Sequence, residues 1–305
     1  MKKSKLIAVV IPCYKVQNEI LSVIKNIGTT VSKIYVVDDA CPQSTGLFVE
    51  ANCDDKRVIV LYHSKNLGVG GAVITGYRQA LKDSNSIVVK VDGDGQMNPK
   101  LIDNFIKPIL ENKADYTKGN RFFDISYLRE MPFVRIFGNS ILSFVSKLSS
   151  GYWNIMDPTN GYTAIHTNIL KHLPLDKIDN RYFFESDMLF RLGTIRAVVK
   201  DIPLVSDYSS KTSSLSIFNV ALTFPKKHVF RLIKRIFYSY YLRDFNIASI
   251  EFIIGTILFL GGCIFGGWEW HLATISGVPA ATGIIMMSVL PVLLGFQLLL
   301  SALNY

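Results

Sequence analysis

Val88-Val89-Lys90-Val91-Asp92-Gly93-Asp94-Gly95-Gln96 is the stretch on which the reading of this chain turns. Its β-branched start predicts a buried strand, which ends abruptly in two aspartates one residue apart, a glycine after each, and a glutamine. Alternate residues of an extended segment point the same way, so Asp92, Asp94 and Gln96 are candidates to converge on one hard divalent cation, Mg or Mn, that in turn grips a diphosphate. Taken alone, Asp-Gly-Asp-Gly reads more simply as a solvated turn; the rest of the chain lifts it above that.

Working outward, strands and helices alternate. Leu6 to Pro12 is continuously apolar, as a central parallel strand covered on both faces should be, and Gln17 to Ile27 has helical periodicity closed by Gly28. Ile34 to Val37 is the next strand and it too ends in acids, Asp38 and Asp39. Val58 to Tyr62 forms a third strand, after which Asn66-Leu67-Gly68-Val69-Gly70-Gly71 opens a helix. Gly68, Ala72, Gly76 and Ala80 recur every four residues, which lets that helix pack close to a sheet. The glycines lack the spacing of a dinucleotide fingerprint and follow the wrong strand for one. The pattern predicts an α/β fold with a doubly wound, mostly parallel sheet whose ligands gather at the carboxyl ends of the strands, where Tyr14, Asp39 and Asp92 fall. Further on, Pro99 to Asn112 reads as helix and Asp115 to Lys118 as strand leading to Gly119-Asn120-Arg121. Asp157-Pro158-Thr159-Asn160-Gly161-Tyr162 reads as a rigid turn, and Phe183 to Leu189 begins a helix carrying Glu185 and Asp187 among apolar neighbours.

The chain has 305 residues, 49% apolar composition and a formal charge of +9. The apolar content concentrates in about 247–267 and 278–303, each long enough to cross a bilayer core, with Trp268-Glu269-Trp270-His271 expected as the turn between them. Gly262 and Gly266 would allow close helix packing, within the hairpin or between subunits of a homo-oligomer. Much of the charge, Lys226, Lys227, Arg231, Lys234, Arg235 and Arg243, lies just ahead and is interleaved with apolar residues at helical spacing. That juxtamembrane position favours membrane lipids over nucleic acid as the basic partner and places the N-terminal part on the cytoplasmic face of the plasma (inner) membrane. Four cysteines without metal spacing suit a reducing compartment, and the apolar run after Met1-Lys2-Lys3 is too short for a signal peptide. The expected organisation is a catalytic domain over 1–215, interfacial helices over 216–246 and a transmembrane pair over 247–305.

In this order, Ile11-Pro12-Cys13-Tyr14, Val36-Val37-Asp38-Asp39, Asn66-Leu67-Gly68, Asp92-Gly93-Asp94-Gly95-Gln96, Gly119-Asn120-Arg121, the Asp157 to Tyr162 turn and Phe184-Glu185 resemble glycosyltransferase family 2 with its GT-A fold. Within it, the chain is most similar to the polyprenyl-phosphate glycosyltransferases. The resemblance implies an inverting transfer of sugar from a UDP- or GDP-linked donor to a polyprenyl (undecaprenyl) phosphate for cell-envelope glycan assembly. It further implies that Pro12, Tyr14, Val37, Asp39, Asp92 and Gly93 border the nucleotide sugar, that Asp94 and Gln96 hold the metal, and that Arg121 and Arg135 receive the lipid phosphate. Lys211 stands in the basic loop before the membrane and is the third candidate for that phosphate. An acid common in the family two residues after the first-strand tyrosine is Val16 here.

A phosphate monoester is already largely ionised at neutral pH, so as acceptor it needs cations rather than a strong base. Were the acceptor a sugar hydroxyl, Asp157, Glu185 or Asp187 would have to take its proton. Two alternatives follow: a membrane glycosyltransferase that extends a lipid-linked glycan, and a catalytically silent membrane scaffold.

Overall fold

The computed structural model describes residues 6–123, 133–204 and 217–303. Lys211 lies outside the described residues, and of Arg135 only the backbone is described. Two compact units separate at Leu232 and Ile233.

The first unit is built on a seven-stranded sheet: β1 (Ile7–Cys13), β2 (Lys33–Asp38), β3 (Val58–Tyr62), β4 (Ile87–Lys90), β5 (Tyr116–Asn120), β6 (Thr163–His166) and β7 (Val199–Pro203). Their order is β3-β2-β1-β4-β6-β5-β7. The central strands β1, β2 and β4 read as mostly apolar runs because both their faces are covered. Val9, Ile11, Ile34, Val36, Ile87 and Val89 pack under α1 (Ile20–Lys25), α2 (Thr45–Asn52) and α4 (Ile102–Leu110). Their alternating neighbours Ala8, Val10, Tyr35, Val37 and Val88 pack under α3 (Val69–Lys82) and α7 (Phe184–Thr194). Between these helices in sequence come α5 (Phe133–Ser150) and α6 (Thr167–Leu170). The small-residue stripe of α3 does what its spacing predicts: Ala72 and Ala80 are fully buried, and a Cβ on Gly76 would sit 2.3 Å from Val10 Cγ1.

The sheet is parallel except at β6, which runs against both β4 and β5. Lys90 at the carboxyl end of β4 pairs with Thr163 at the start of β6, and so does Lys118 of β5. The reversal therefore delivers the turn before β6, Asp157 to Tyr162, to the edge where β1, β2, β4 and β5 end. Two sequence boundaries move. The helix expected over Gln17 to Ile27 is confined to Ile20–Lys25, after a left-handed Lys15 (φ 59°). The helix expected from Pro99 begins as a 3₁₀ turn, Pro99–Leu101, capped by Asn98.

Helix α8 (Ile217–Ile236) runs into a π-helical turn, Phe237–Arg243. The second unit holds α9 (Ile247–Ser276) and α10 (Thr282–Leu303), both long and apolar enough to cross a membrane. Helix α9 begins at a reciprocal cap between Asn246 and Ser249. It does not turn at Trp268 to His271 as the sequence suggested; nothing there breaks a helix, and it continues to Gly277, whose left-handed φ of 67° ends it ahead of Pro279. Small residues bring the pair together within the hairpin: a Cβ on Gly262 would meet Val292 at 2.8 Å, and one on Gly295 would meet the backbone of Phe259 at 2.5 Å.

Candidate active site

At the ends of β1 and β2 the backbone is held in uncommon conformations. Lys15, Ala40 and Ser44 all have positive φ although none is glycine. Asp38 supplies the bracing: its carboxylate accepts from the Cys41 and Gly46 amides at 2.7 and 2.6 Å. Asp39 is 3% exposed and does a second job of the same kind, accepting from the Leu67 and Gly68 amides, both at 2.8 Å, and pairing with His63 Nδ1 at 2.7 Å. His63 is fixed in turn by Thr75 Oγ1 at 2.8 Å. Tyr14 is exposed and Pro12 half-buried at this edge, so both side chains present surface. Val37 has no exposed surface; it packs in the core under α3 and presents nothing to a ligand in this structure. Gly93 is buried; a Cβ there would meet Val16 Cγ2 at 3.0 Å, so the valine that replaces the family's acid walls this corner.

The chain does not stay extended past Lys90 to line up three side chains by strand alternation. It turns: Gly95 is left-handed (φ 76°), and Asp94 Oδ1 accepts the Gln96 amide at 3.0 Å. Gln96 is exposed and Asp94 half-buried, so this oxygen-only set lies on an open tip. Among the described residues no cluster of three or more His, Cys, Asp or Glu side chains is placed to hold a metal.

Beneath the tip lies Lys90, whose side chain is 1% exposed. Strand alternation turns it to the face under α3 and α7. Its ammonium donates to Glu185 Oε1 at 3.1 Å and stands 2.8 Å from Asp92 Oδ1, the second contact being Coulombic rather than an aligned hydrogen bond. Burial works against its charge, but Asp92 and Glu185 outweigh burial and raise its pKa. The Asp157 to Tyr162 turn closes over this pair through Gly161, where a Cβ would lie 2.4 Å from Lys90 Nζ and 3.0 Å from Asp92 Oδ2.

Arg121 and Asp157 form a fork, with Nε to Oδ2 at 2.7 Å and a terminal nitrogen to Oδ1 at 3.0 Å. Asp157 is wholly buried; burial pushes its pKa up, yet the charge and hydrogen bonds of Arg121, with Lys118 behind, hold it below the ordinary value. Thus Asp157 orients Arg121 and the turn, and both its oxygens are engaged. Lys118, also fully buried, donates to the Asn160 carbonyl, and burial lowers its pKa to about 8. Asp201, beside Lys118 across the β5–β7 pairing, is raised to about 6 by burial.

Asp187 stands apart from this floor. Fully buried, it accepts from Arg191 at 3.1 Å, Arg231 at 2.5 Å and the Asp179 amide at 2.9 Å, so it joins α7 to α8 with both oxygens engaged. The structure thus gathers Asp92, Glu185, Asp157 and Arg121 with the Asp94–Gln96 tip at one sheet edge. Sequence reasoning gave Lys90, Lys118, Gly161 and His63 no role. A lysine inside an apolar strand is the signal that would have found Lys90, whereas Tyr-Thr-Lys-Gly-Asn gives Lys118 no such mark.

A doubly wound sheet with one reversed strand, an oxygen-bearing tip after β4 and buried cations beneath it defines a glycosyltransferase of GT-A type. The family model described as glycosyl transferase family 2 matches residues 8–173 of the 305, and the chain belongs to that family. An uncharacterized protein of Methanocaldococcus jannaschii is 31% identical over 68% of this chain and 84% of its own length. A UDP-N-acetylglucosamine–dolichyl-phosphate N-acetylglucosaminyltransferase of Methanococcus voltae is 29% identical over 67% of this chain and 87% of its own. An undecaprenyl-phosphate mannosyltransferase of Micrococcus luteus is 29% identical over 64% and 81%. Among solved structures, glucosyl-3-phosphoglycerate synthase from Mycobacterium tuberculosis, crystallised with Mn2+, UDP and phosphoglyceric acid, shares the fold. Its TM-score is 0.55 at 18% identity, over 76% of this chain and 78% of that one.

Proposed function

We propose that this enzyme transfers a sugar, with inversion, from a nucleotide diphosphate donor to a polyprenyl phosphate at the cytoplasmic face of the plasma membrane. The observation that carries the reading is a donor edge of carboxylate and amide oxygens over buried lysines, in a chain that also has two helices long and apolar enough to cross a bilayer. The names of its relatives point the same way, since those proteins act on dolichyl or undecaprenyl phosphate.

Asp94 and Gln96 would hold a divalent metal, Mg or Mn, which when bound acts as a Lewis acid on the departing diphosphate. Asp39 keeps the loop at 66–68 in place beside the nucleotide, while Pro12 and Tyr14 offer it surface. On the acceptor side, Asp157 presents Arg121 in a fixed orientation, and Arg121, with Arg135 and Lys211, would hold the lipid phosphate. An acceptor oxygen that is already ionised needs no base, which agrees with a site whose Asp157 and Glu185 both have cations against them. We assign Glu185 an orienting role.

The test supplies membranes bearing the protein with UDP- and GDP-sugars and undecaprenyl phosphate. The expected product is an organic-extractable sugar released by mild acid, formed only with divalent metal present. Transfer that needs a sugar hydroxyl acceptor and vanishes in Glu185→Gln would replace this reading with glycan extension.

A further inference from the structure

Three sequence motifs far apart in the chain meet at one atom. Lys90 Nζ lies 2.8 Å from Asp92 on the donor tip and 3.1 Å from Glu185 on α7, and it fills the space that a side chain at Gly161 would take. Its own side chain is 1% exposed, whereas Asp92 is 29% exposed and so sits at the boundary between floor and cleft. Gly161 has an ordinary φ, so its lack of a side chain answers to crowding by the lysine and Asp92 rather than to backbone strain. An ammonium buried against two carboxylates from different elements can set the distance between them, because the one positive charge attracts both and relieves the repulsion each would otherwise feel from the other.

We propose that Lys90 is the positioning residue of this site, fixing Asp92 against Glu185 and the Gly161 turn so that the strand tip is pre-shaped for a metal-bound nucleoside diphosphate. The inference rests on the donor reading given above. Lys90 touches neither donor nor acceptor in this role; it acts through Asp92, as partners behind a ligand set do in phosphate and metal sites.

The alternative is that Lys90 merely balances the buried charge of Glu185. The two roles separate when stability and binding are measured on the same variants of the full chain. The probe is Mn2+ with UDP and, separately, with GDP, followed by calorimetry and by the Mn2+ electron spin resonance signal. Lys90→Met should melt roughly 10 °C lower, as expected when a buried ion pair loses one member, and bind the Mn2+–nucleotide about tenfold more weakly. Glu185→Gln alone, which leaves an amide oxygen to accept from the Lys90 ammonium, should weaken binding clearly less than Lys90→Met does. The double variant Lys90→Met/Glu185→Gln removes the stranded charge and should regain the melting temperature while binding stays about tenfold weak. Binding that returns together with the melting temperature, or is unchanged in Lys90→Met, overturns the proposal.

Should the double variant fail to regain stability, Gly161→Ala decides. With Lys90 retained, the added methyl displaces the ammonium from Asp92 and should weaken Mn2+–nucleotide binding about tenfold; unchanged binding overturns the proposal. Wild-type protein that binds neither Mn2+–UDP nor Mn2+–GDP overturns the donor reading itself, and this inference with it.

Discussion

Asp157 and Arg121 show how one buried side chain can fix the direction of another. Both oxygens of a carboxylate with no exposed surface are occupied by a guanidinium that is itself 32% exposed and aimed along the edge of the site. Asp157→Asn keeps the shape and removes the charge. It should cost about 2 kcal/mol, below the figure for a fully buried pair because Arg121 is partly solvated, and should lower transfer chiefly through the acceptor KM. Denaturant midpoints and separate donor and acceptor titrations check both. The sign with pH follows from the lowered pKa of Asp157. Its contribution is full above the ordinary aspartate value of about 3.9 and is lost as pH falls through the lower folded value, so the variant's deficit persists at neutral pH. At this scale the cluster of side-chain oxygens after β4 was legible because Asp-Gly-Asp-Gly-Gln is written in consecutive residues. Lys90 and Lys118 were not, because what a buried lysine does depends on partners 95 and 42 residues away in sequence.

Helix α8 is the element on which periodicity was right and its interpretation incomplete. The sequence showed bases on one side and apolar residues on the other, and assigned the bases to lipid. In the structure Lys227 and Arg231 turn inward to Asp179 and Asp187, both at 2.5 Å, and His228 is buried between Phe183 and Phe224. Val229 and Phe230 are left exposed beside Lys226. A period of 3.6 tells which residues share a face and not which face meets protein, since acids elsewhere can claim the basic one. The same inward face carries a pH response. Burial, with Arg231 adding to it, lowers the His228 pKa to about 4, and its Nδ1 is bonded to Ser149 Oγ at 2.8 Å. The unfolded chain, with histidine near 6.5, binds the proton first as pH falls, so this stabilisation is full above about 6.5 and is lost progressively toward about 4. Between pH 7 and 5 the loss should reach about 2 kcal/mol, read as faster amide exchange in α8 and α5. His228→Gln, which keeps a partner for Ser149, should flatten that slope.

Across the whole molecule, the alternation of strand and helix was readable because parallel strands covered on both faces leave unmistakable apolar runs. The reversal of β6 was not, since a four-residue strand carries no mark of its direction. Yet that reversal is what brings the Asp157 turn to the donor edge. The hairpin's existence was equally plain and its turn was not, because tryptophan and histidine do not end a helix and Gly277 does. The separation at Leu232 and Ile233 leaves every residue of the donor edge in the first unit. A chain ending at residue 246 should therefore bind Mn2+ with UDP or GDP within about threefold of the full-length affinity, and chelation should abolish that binding and return the melting temperature to that of the ligand-free chain, since a ligand held only by the folded state stabilises it. What the shortened chain loses is the local concentration that anchoring gives, an effect of about a hundredfold or more. Transfer to long-chain polyprenyl phosphate in vesicles should fall by that factor, whereas transfer to a short, water-soluble polyprenyl phosphate should persist. Equal loss with both acceptors would mean that the hairpin contributes to the acceptor site itself and does more than hold the enzyme to its lipid.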